Sequence, residues 1–291
     1  MNKSVIFYFA RDVIKLTRAW NLIIVIFTQA WTIYFLIPGP TEHSIQLNLD
    51  VIFLIIGTTF IAAAGYANND YYDVKIDFVN KPEKVVVGKY IKRRYVMLLH
   101  GLFSIVGIFL GLLVSVEIAV VNILAALLLW LYSNRLKRLP LIGNITVSLL
   151  AGMTVLTVGI YYSVYSSPII LFSVFAFFYT LIREIIKDIQ DMKGDEIFGC
   201  KTLPILIGIR KTKLVIYGFS ILFIATCPLY LDIFQSPVRL VFFTLLVVVQ
   251  GTLLYLLYLA DTKYHFSRLS SYCKGVMLGG ILSMMIFTPT L

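Results

Sequence analysis

The chain has 291 residues, 59% of them hydrophobic and only 14% charged, with a mean hydropathy of +0.89. Soluble domains carry roughly 25% charged residues, so a soluble single-domain enzyme is excluded and repeated passage through a hydrocarbon layer is implied. Lys and Arg outnumber Asp and Glu by 25 to 15; in a membrane chain that excess has a topological use, and no nucleic-acid partner is expected.

In chain order, the stretch 1–20 is broken by Lys3, Arg11, Asp12, Lys15 and Arg18. That argues against a cleavable signal peptide and predicts an amphipathic lead-in lying along the membrane surface. Apolar runs follow at 20–37, 49–68, 95–114, 116–132, 142–162, 166–184, 212–232, 238–260 and 273–290, which predicts nine transmembrane helices. The runs are long and apolar on nearly every side, unlike the short alternating segments of a barrel. An all-α integral membrane protein follows, with residues 1–291 expected to form a single transmembrane domain.

The basic residues fall on one face of this arrangement. Segments 1–19, 69–95, 134–140, 183–213 and 261–274 hold 24 of the 25, and only Arg239 lies elsewhere. These segments precede the first run and follow the second, fourth, sixth and eighth. The positive-inside rule then puts the amino terminus inside and the carboxyl terminus outside. A multi-pass protein of the cell inner membrane is expected, with its chemistry at the cytoplasmic end and short outer loops at 38–48, 115–117, 161–167 and 231–237.

Acids in the inner segments repeat a pattern. Asp70, Asp73 and Asp77 read DxxDxxxD, and Asp188, Asp191 and Asp195 repeat it 118 residues later, so six of the fifteen acids form a pseudo-repeat at 69–77 and 188–195. If each helix continues through its motif, positions i, i+3 and i+7 share one stripe. Facing files of carboxylates at a membrane boundary need cations. All-oxygen donors select hard ions, and Mg²⁺ is commonly shared between a carboxylate or two and substrate phosphate. Two Mg²⁺ ions bridged by a diphosphate are expected. Lys75, Lys81, Lys84 and Lys89 near the first motif, and Arg183, Lys187, Lys193 and Lys201 near the second, can meet phosphate oxygens. A polyprenyl diphosphate combines that polar head with a membrane-soluble tail.

The residues resemble the UbiA superfamily of intramembrane prenyltransferases. Its NDxxDxxxD signature is matched at Asn69, Asp70, Asp73 and Asp77, and its second at Asp188, Asp191 and Asp195. Arg18-Ala19-Trp20-Asn21 is similar to the family's Arg-Pro-x-Asn entry, with Ala19 in place of Pro. Tyr132 to Arg138 with Gly143-Asn144 resembles its YSxxLKR…GN loop, and Thr202-Leu203-Pro204 its TLP. The resemblance implies nine helices ringed around a central cavity. It implies that Asn69, Asp73, Asp77, Asp191 and Asp195 coordinate Mg²⁺, with Asp70 and Asp188 supporting or joining them. Tyr132, Lys137 and Arg183 would stabilise the leaving diphosphate, with Arg18, Asn21 and Lys187 on the prenyl-diphosphate and acceptor side. The implied reaction forms an allylic carbocation that the acceptor attacks.

The second motif with its TLP is most similar to the geranylgeranylglycerol-phosphate geranylgeranyltransferase branch, which implies a phosphate-bearing lipid acceptor. After the first motif, Glu83 and Val86 stand where that branch shows other residues, so an aromatic quinone precursor stays open as acceptor. A divalent-cation permease or other transporter is the rival from another class; it would place acids near the midplane, whereas here they gather at one end. Cys200, Cys227 and Cys273, and His43, His100 and His265, match no metal or disulfide spacing. Gly101, Gly107 and Gly111 are expected to permit close helix packing.

Overall fold

The computed structural model describes residues 3–38, 48–231 and 236–288. The loops expected at 38–48 and 231–237, with His43, fall almost wholly outside them. Among the described residues there are eleven α-helices: α1 (Lys3–Leu16), α2 (Ala19–Leu36), α3 (Leu49–Asn80), α4 (Arg93–Val114), α5 (Val116–Asn134), α6 (Ile142–Tyr162), α7 (Ser167–Ile197), α8 (Leu203–Thr226), α9 (Pro228–Leu231), α10 (Pro237–Leu259) and α11 (Lys263–Ser283). Among the described residues, nine helical segments are long and apolar enough to cross a membrane.

Local chemistry sets several ends. Asn48 caps α3, its side chain accepting from the Val51 N–H, and Ser115 alone links α4 to α5 while capping the latter through the Ile118 N–H. Where the helices differ from the apolar runs, polar sequence is the reason. α3 and α7 run well past residues 68 and 184, because the acid-rich segments are helical although too polar to count as span. α8 begins at Leu203 rather than 212, and its φ of +77° at Gly208 separates a short opening turn from the long helix. α11 begins at Lys263 rather than 273, capped by Thr262, whose side chain accepts from the His265 N–H.

The chain divides into two compact units, Met1–Ala30 with Gln46–Lys137, and Trp31–Ile45 with Arg138–Leu291. In the first unit α3 packs on α4 and α5 through small residues. A Cβ on Gly107 would lie 2.8 Å from Ile61 and 2.9 Å from the Gly57 carbonyl oxygen. One on Gly111 would lie 2.6 Å from the Asn122 amide, which itself donates to the Gly107 carbonyl at 2.8 Å. In lipid the hydrophobic effect does not drive helices together, so such close approach and interhelical hydrogen bonds do. Gly101 is a correction: it has open space around it and plays no part in this packing. Val13 and Leu16 of α1 join Ala67, Val86, Val87 and Ile91 in a small apolar cluster, held in part by a tight turn at Gly88 (φ +84°).

The second unit is organised around α7, whose upper half packs Phe172, Phe175 and Tyr179 against Phe223 of α8, Phe242 of α10 and Met284 after α11. Gly280 lets α11 approach, since a Cβ there would overlap the Phe175 ring at 2.2 Å. The Tyr179 hydroxyl donates to Gln250 Oε1 of α10 at 2.7 Å. The lower half buries Ile182, Ile185, Ile186 and Ile189 against α8, α10 and α11.

Candidate functional site

Each acid motif rides on an uninterrupted helix, so the spacing does produce a stripe. In α3, Gly57, Ile61 and Gly65 meet α4 and α5; counting 3.6 residues per turn, Asp70, Asp73 and Asp77 lie on the opposite face. In α7 the stripe of Asp188, Asp191 and Asp195 likewise lies opposite Ile182, Ile186 and Ile189. Both units therefore turn packed small or apolar residues one way along the motif helix and carboxylates the other.

The first stripe is held by cations from distant parts of the chain. Arg18 sits between α1 and α2 with a φ of +52°, a left-handed conformation costly for a side chain other than glycine. That turn aims its guanidinium at the motif: Nη2 donates to Asp70 Oδ1 at 2.8 Å, and the group lies 5.1 Å from the centre of the Tyr66 ring. Burial opposes its charge, but Asp70, then Tyr66 and Asp77, outweigh it and raise the guanidinium pKa above its ordinary value. Lys137, in a 3₁₀ turn over Leu136–Arg138, pairs with Asp73 Oδ1 at 2.5 Å and donates to Asn69 Oδ1 at 3.4 Å. Both members of the Lys137–Asp73 pair are largely buried, with side chains 10% and 16% exposed. The Asp77 carbonyl accepts from the Lys81 N–H and closes the helix.

The second stripe is held differently. Asn144, at the start of α6, donates from Nδ2 to Asp188 Oδ2 at 2.9 Å. Glu184, buried at 8% exposure, takes Arg183 Nη1 at 2.8 Å and Lys187 Nζ at 2.7 Å. Just past Asp195 the helix stops in a Schellman turn: the Cys200 N–H donates to the Asp195 carbonyl at 2.9 Å and the Gly199 N–H to Glu196 at 3.1 Å, with Gly199 at φ +70°. The Lys201 N–H then donates to the Arg138 carbonyl at 2.8 Å, and Pro204 stands in the first turn of α8.

Of the other residues singled out by sequence, Asn21 is in the first turn of α2, its N–H donating to the Arg18 carbonyl at 2.7 Å. Tyr132 is half-buried near the end of α5. Lys75, Lys89, Lys193 and Lys201 are exposed, and the Lys84 side chain lies outside what is described. Sequence reading gave no role to Glu184 or to Asn144 of the quoted Gly143-Asn144 pair; an acid flanked by Arg183 and Lys187 is a helical ion-pair signal that could have found the first.

Among the described residues no three His, Cys, Asp or Glu side chains gather as a ready-made metal cluster. The donor set nevertheless suits Mg²⁺: each motif offers oxygen ligands only, from carboxylates on one helical stripe, with neither thiol nor imidazole.

The profile described as the UbiA prenyltransferase family matches residues 18–278. Digeranylgeranylglyceryl phosphate synthase of Methanobrevibacter smithii is 34% identical, over 84% of this chain and 89% of that one. Its counterpart in Methanosphaera stadtmanae is 33% identical over 86% and 97%. A solved digeranylgeranylglyceryl phosphate synthase superposes with a TM-score of 0.73 at 23% identity, covering 95% of this chain and 97% of the other. A UbiA homologue from Archaeoglobus fulgidus bound to DMAPP and Mg²⁺ gives 0.66 at 13% identity, over 94% and 99%.

Proposed function

Because this chain belongs to the UbiA prenyltransferase family, we propose that it moves a geranylgeranyl group from geranylgeranyl diphosphate to the free hydroxyl of geranylgeranylglyceryl phosphate. The near full-length likeness to synthases named for that product carries the choice of acceptor. In the reaction the allylic carbon to oxygen bond of the diphosphate breaks, a carbon to oxygen bond to the acceptor forms, and the acceptor's hydroxyl proton is released.

The chain's residues divide that work. Asn69, Asp70, Asp73 and Asp77 on α3, and Asp188, Asp191 and Asp195 on α7, would hold Mg²⁺, two ions in our reading, and serve one diphosphate. Mg²⁺, when bound, supplies positive charge that eases departure of the diphosphate. Lys137 and Arg18 already stand on the first stripe, so cations for the departing oxygens come with the motif. Tyr132, Arg183, Lys187 and Asn21 serve the same end of the substrates. No covalent link to the chain is needed. The crowding of Lys and Arg into inner segments supports a site at the cytoplasmic face of the membrane.

The test is an acceptor panel of geranylgeranylglyceryl phosphate, hydroxybenzoate and dihydroxynaphthoate, each with Mg²⁺ and labelled geranylgeranyl diphosphate. The expected product is the diether phosphate. Transfer to an aromatic ring alone would overturn the acceptor, and ion flux with no diphosphate released from geranylgeranyl diphosphate in the presence of any acceptor would overturn prenyl transfer.

A further inference from the structure

The first unit displays five exposed cations at the end that carries its acid motif. Lys15 lies in the last turn of α1, Lys89 at the tip of the turn at Gly88, and Lys92, Arg93 and Arg94 at the opening of α4. They are held on one frame, because Val13, Leu16, Val86, Val87, Ile91 and Val96 pack into a single cluster with Ala67 of α3. Among the described residues none of the five pairs with an acid: Asp12 is buried and takes Arg11 at 3.4 Å, and the exposed Glu83 makes no ion pair with them. Four of them lie over tyrosine rings. Lys15 and Lys89 stand 5.9 and 5.3 Å from the centre of Tyr90, Arg93 4.4 Å from Tyr71 and Arg94 4.9 Å from Tyr95. Arg93 also donates to the Tyr71 carbonyl at 3.4 Å, and Arg94 to the Tyr95 hydroxyl at 3.1 Å. Neutral partners of this kind orient a cation and leave its charge in place.

The start of α4 sharpens the imbalance. Its first turn holds no acid and no side chain caps it, so three cations meet the positive end of the helix dipole, an arrangement that an anion relieves. The patch also stands where a bilayer surface would begin. α4 is apolar enough to cross a membrane, and its exposed residues turn apolar from Leu98 onward, one turn past Tyr95. Half-exposed tyrosines beside Lys and Arg mark such a boundary, and basic clusters next to a span attract anionic headgroups. We propose that Lys15, Lys89, Lys92, Arg93 and Arg94 form a docking surface for the headgroups of anionic membrane lipids, separate from the residues that serve prenyl transfer. The guanidinium forks suit phosphodiester oxygens and the lysines add point charges. A zwitterionic headgroup brings its own cation and gains less from the same surface.

The experiment titrates the purified full chain in detergent with phosphatidylglycerol or phosphatidylcholine, counts retained lipids by native mass spectrometry and records thermal unfolding on the same samples. The wild type is expected to retain phosphatidylglycerol in preference. The triple variant Lys89→Gln, Lys92→Gln, Arg94→Gln should weaken that retention roughly a hundredfold and leave phosphatidylcholine unchanged. The charge-keeping triple Lys89→Arg, Lys92→Arg, Arg94→Lys should hold the preference, as should Arg210→Gln with Lys211→Gln, which removes two exposed charges from α8. Where the glutamine triple also lowers the unfolding temperature, the wild type reads the same effect through salt, since added salt should weaken retention of phosphatidylglycerol alone. Equal retention of the two lipids by the wild type, retention undiminished in the glutamine triple or by salt, or an equal loss from the α8 pair overturns the surface. Displacement of the lipid by soluble glycerol phosphate at equal concentration overturns a membrane lipid as its occupant.

Discussion

At the end of α3, Asp70 meets Arg18 from 52 positions earlier and Asp73 meets Lys137 from the turn after α5. At the end of α7, Asp188 meets a neutral amide, Asn144, while Arg183 and Lys187 are drawn to Glu184 on their own helix. Identical acid spacing thus stands in two electrostatic settings. The first stripe draws cations from remote segments and needs the surrounding helices folded to be neutralised. The second takes a neutral amide at Asp188 and has its neighbouring cations, Arg183 and Lys187, bonded to an acid of the same helix. Equal spacing does not mean equal duty, and the difference can be probed from both sides.

The largest effects belong to the stripes themselves. Asp73→Ala and Asp191→Ala should each lower diphosphate release by about a thousandfold or more, as expected when charge stabilisation of a leaving group is removed; steady-state assay in membranes checks this. Next comes Lys137→Ala, which leaves a buried carboxylate unpaired at a cost of about 3–5 kcal/mol. It should lower the unfolding temperature as well as activity. Pairing Lys137→Met with Asp73→Asn should recover the temperature but not the activity, which separates the two roles. Asn144→Ala removes one hydrogen bond from an uncharged donor to Asp188, so a loss of about 1–2 kcal/mol, or roughly tenfold in kcat/KM, is expected. A loss as large as that of Lys137→Ala would erase the contrast between the stripes.

The smallest effect concerns how the second stripe ends. Gly199→Ala forces a Cβ into the left-handed region and should destabilise by about 1 kcal/mol, read as a shift in thermal unfolding. The space around that Cβ is open, so any larger loss would mean that the Schellman turn positions Asp195.

How much of this was legible in the sequence follows from which forces act locally. The stripes could be read because the 3.6-residue period is fixed once the helix continues, and α3 and α7 do continue. The starts of α8 and α11 could not be read from apolar runs, since Arg210, Lys211, Lys213, Lys263 and Arg268 make helical sequence look like loop. Pro204 and the cap at Thr262 were the better signals. Gly107 and Gly111 answered to small-residue spacing, yet Gly101, on the same spacing, has nothing beside it, because helix rotation decides which residues touch. The partners of the acids were hidden for a similar reason. Arg18 and Lys137 were visible as basic residues, but only the folded chain assigns one to Asp70 and the other to Asp73, and only it gives Glu184 to Arg183 and Lys187.

The proposed prenyl transfer requires Asp73 and Asp191 to act on one diphosphate. Titrating a non-reactive geranylgeranyl diphosphate analogue into the purified chain, with and without Mg²⁺, tests this directly. Mg²⁺-dependent binding is predicted for the wild type and should vanish in Asp73→Ala and in Asp191→Ala alike. Undiminished Mg²⁺-dependent affinity in either variant would contradict a shared site.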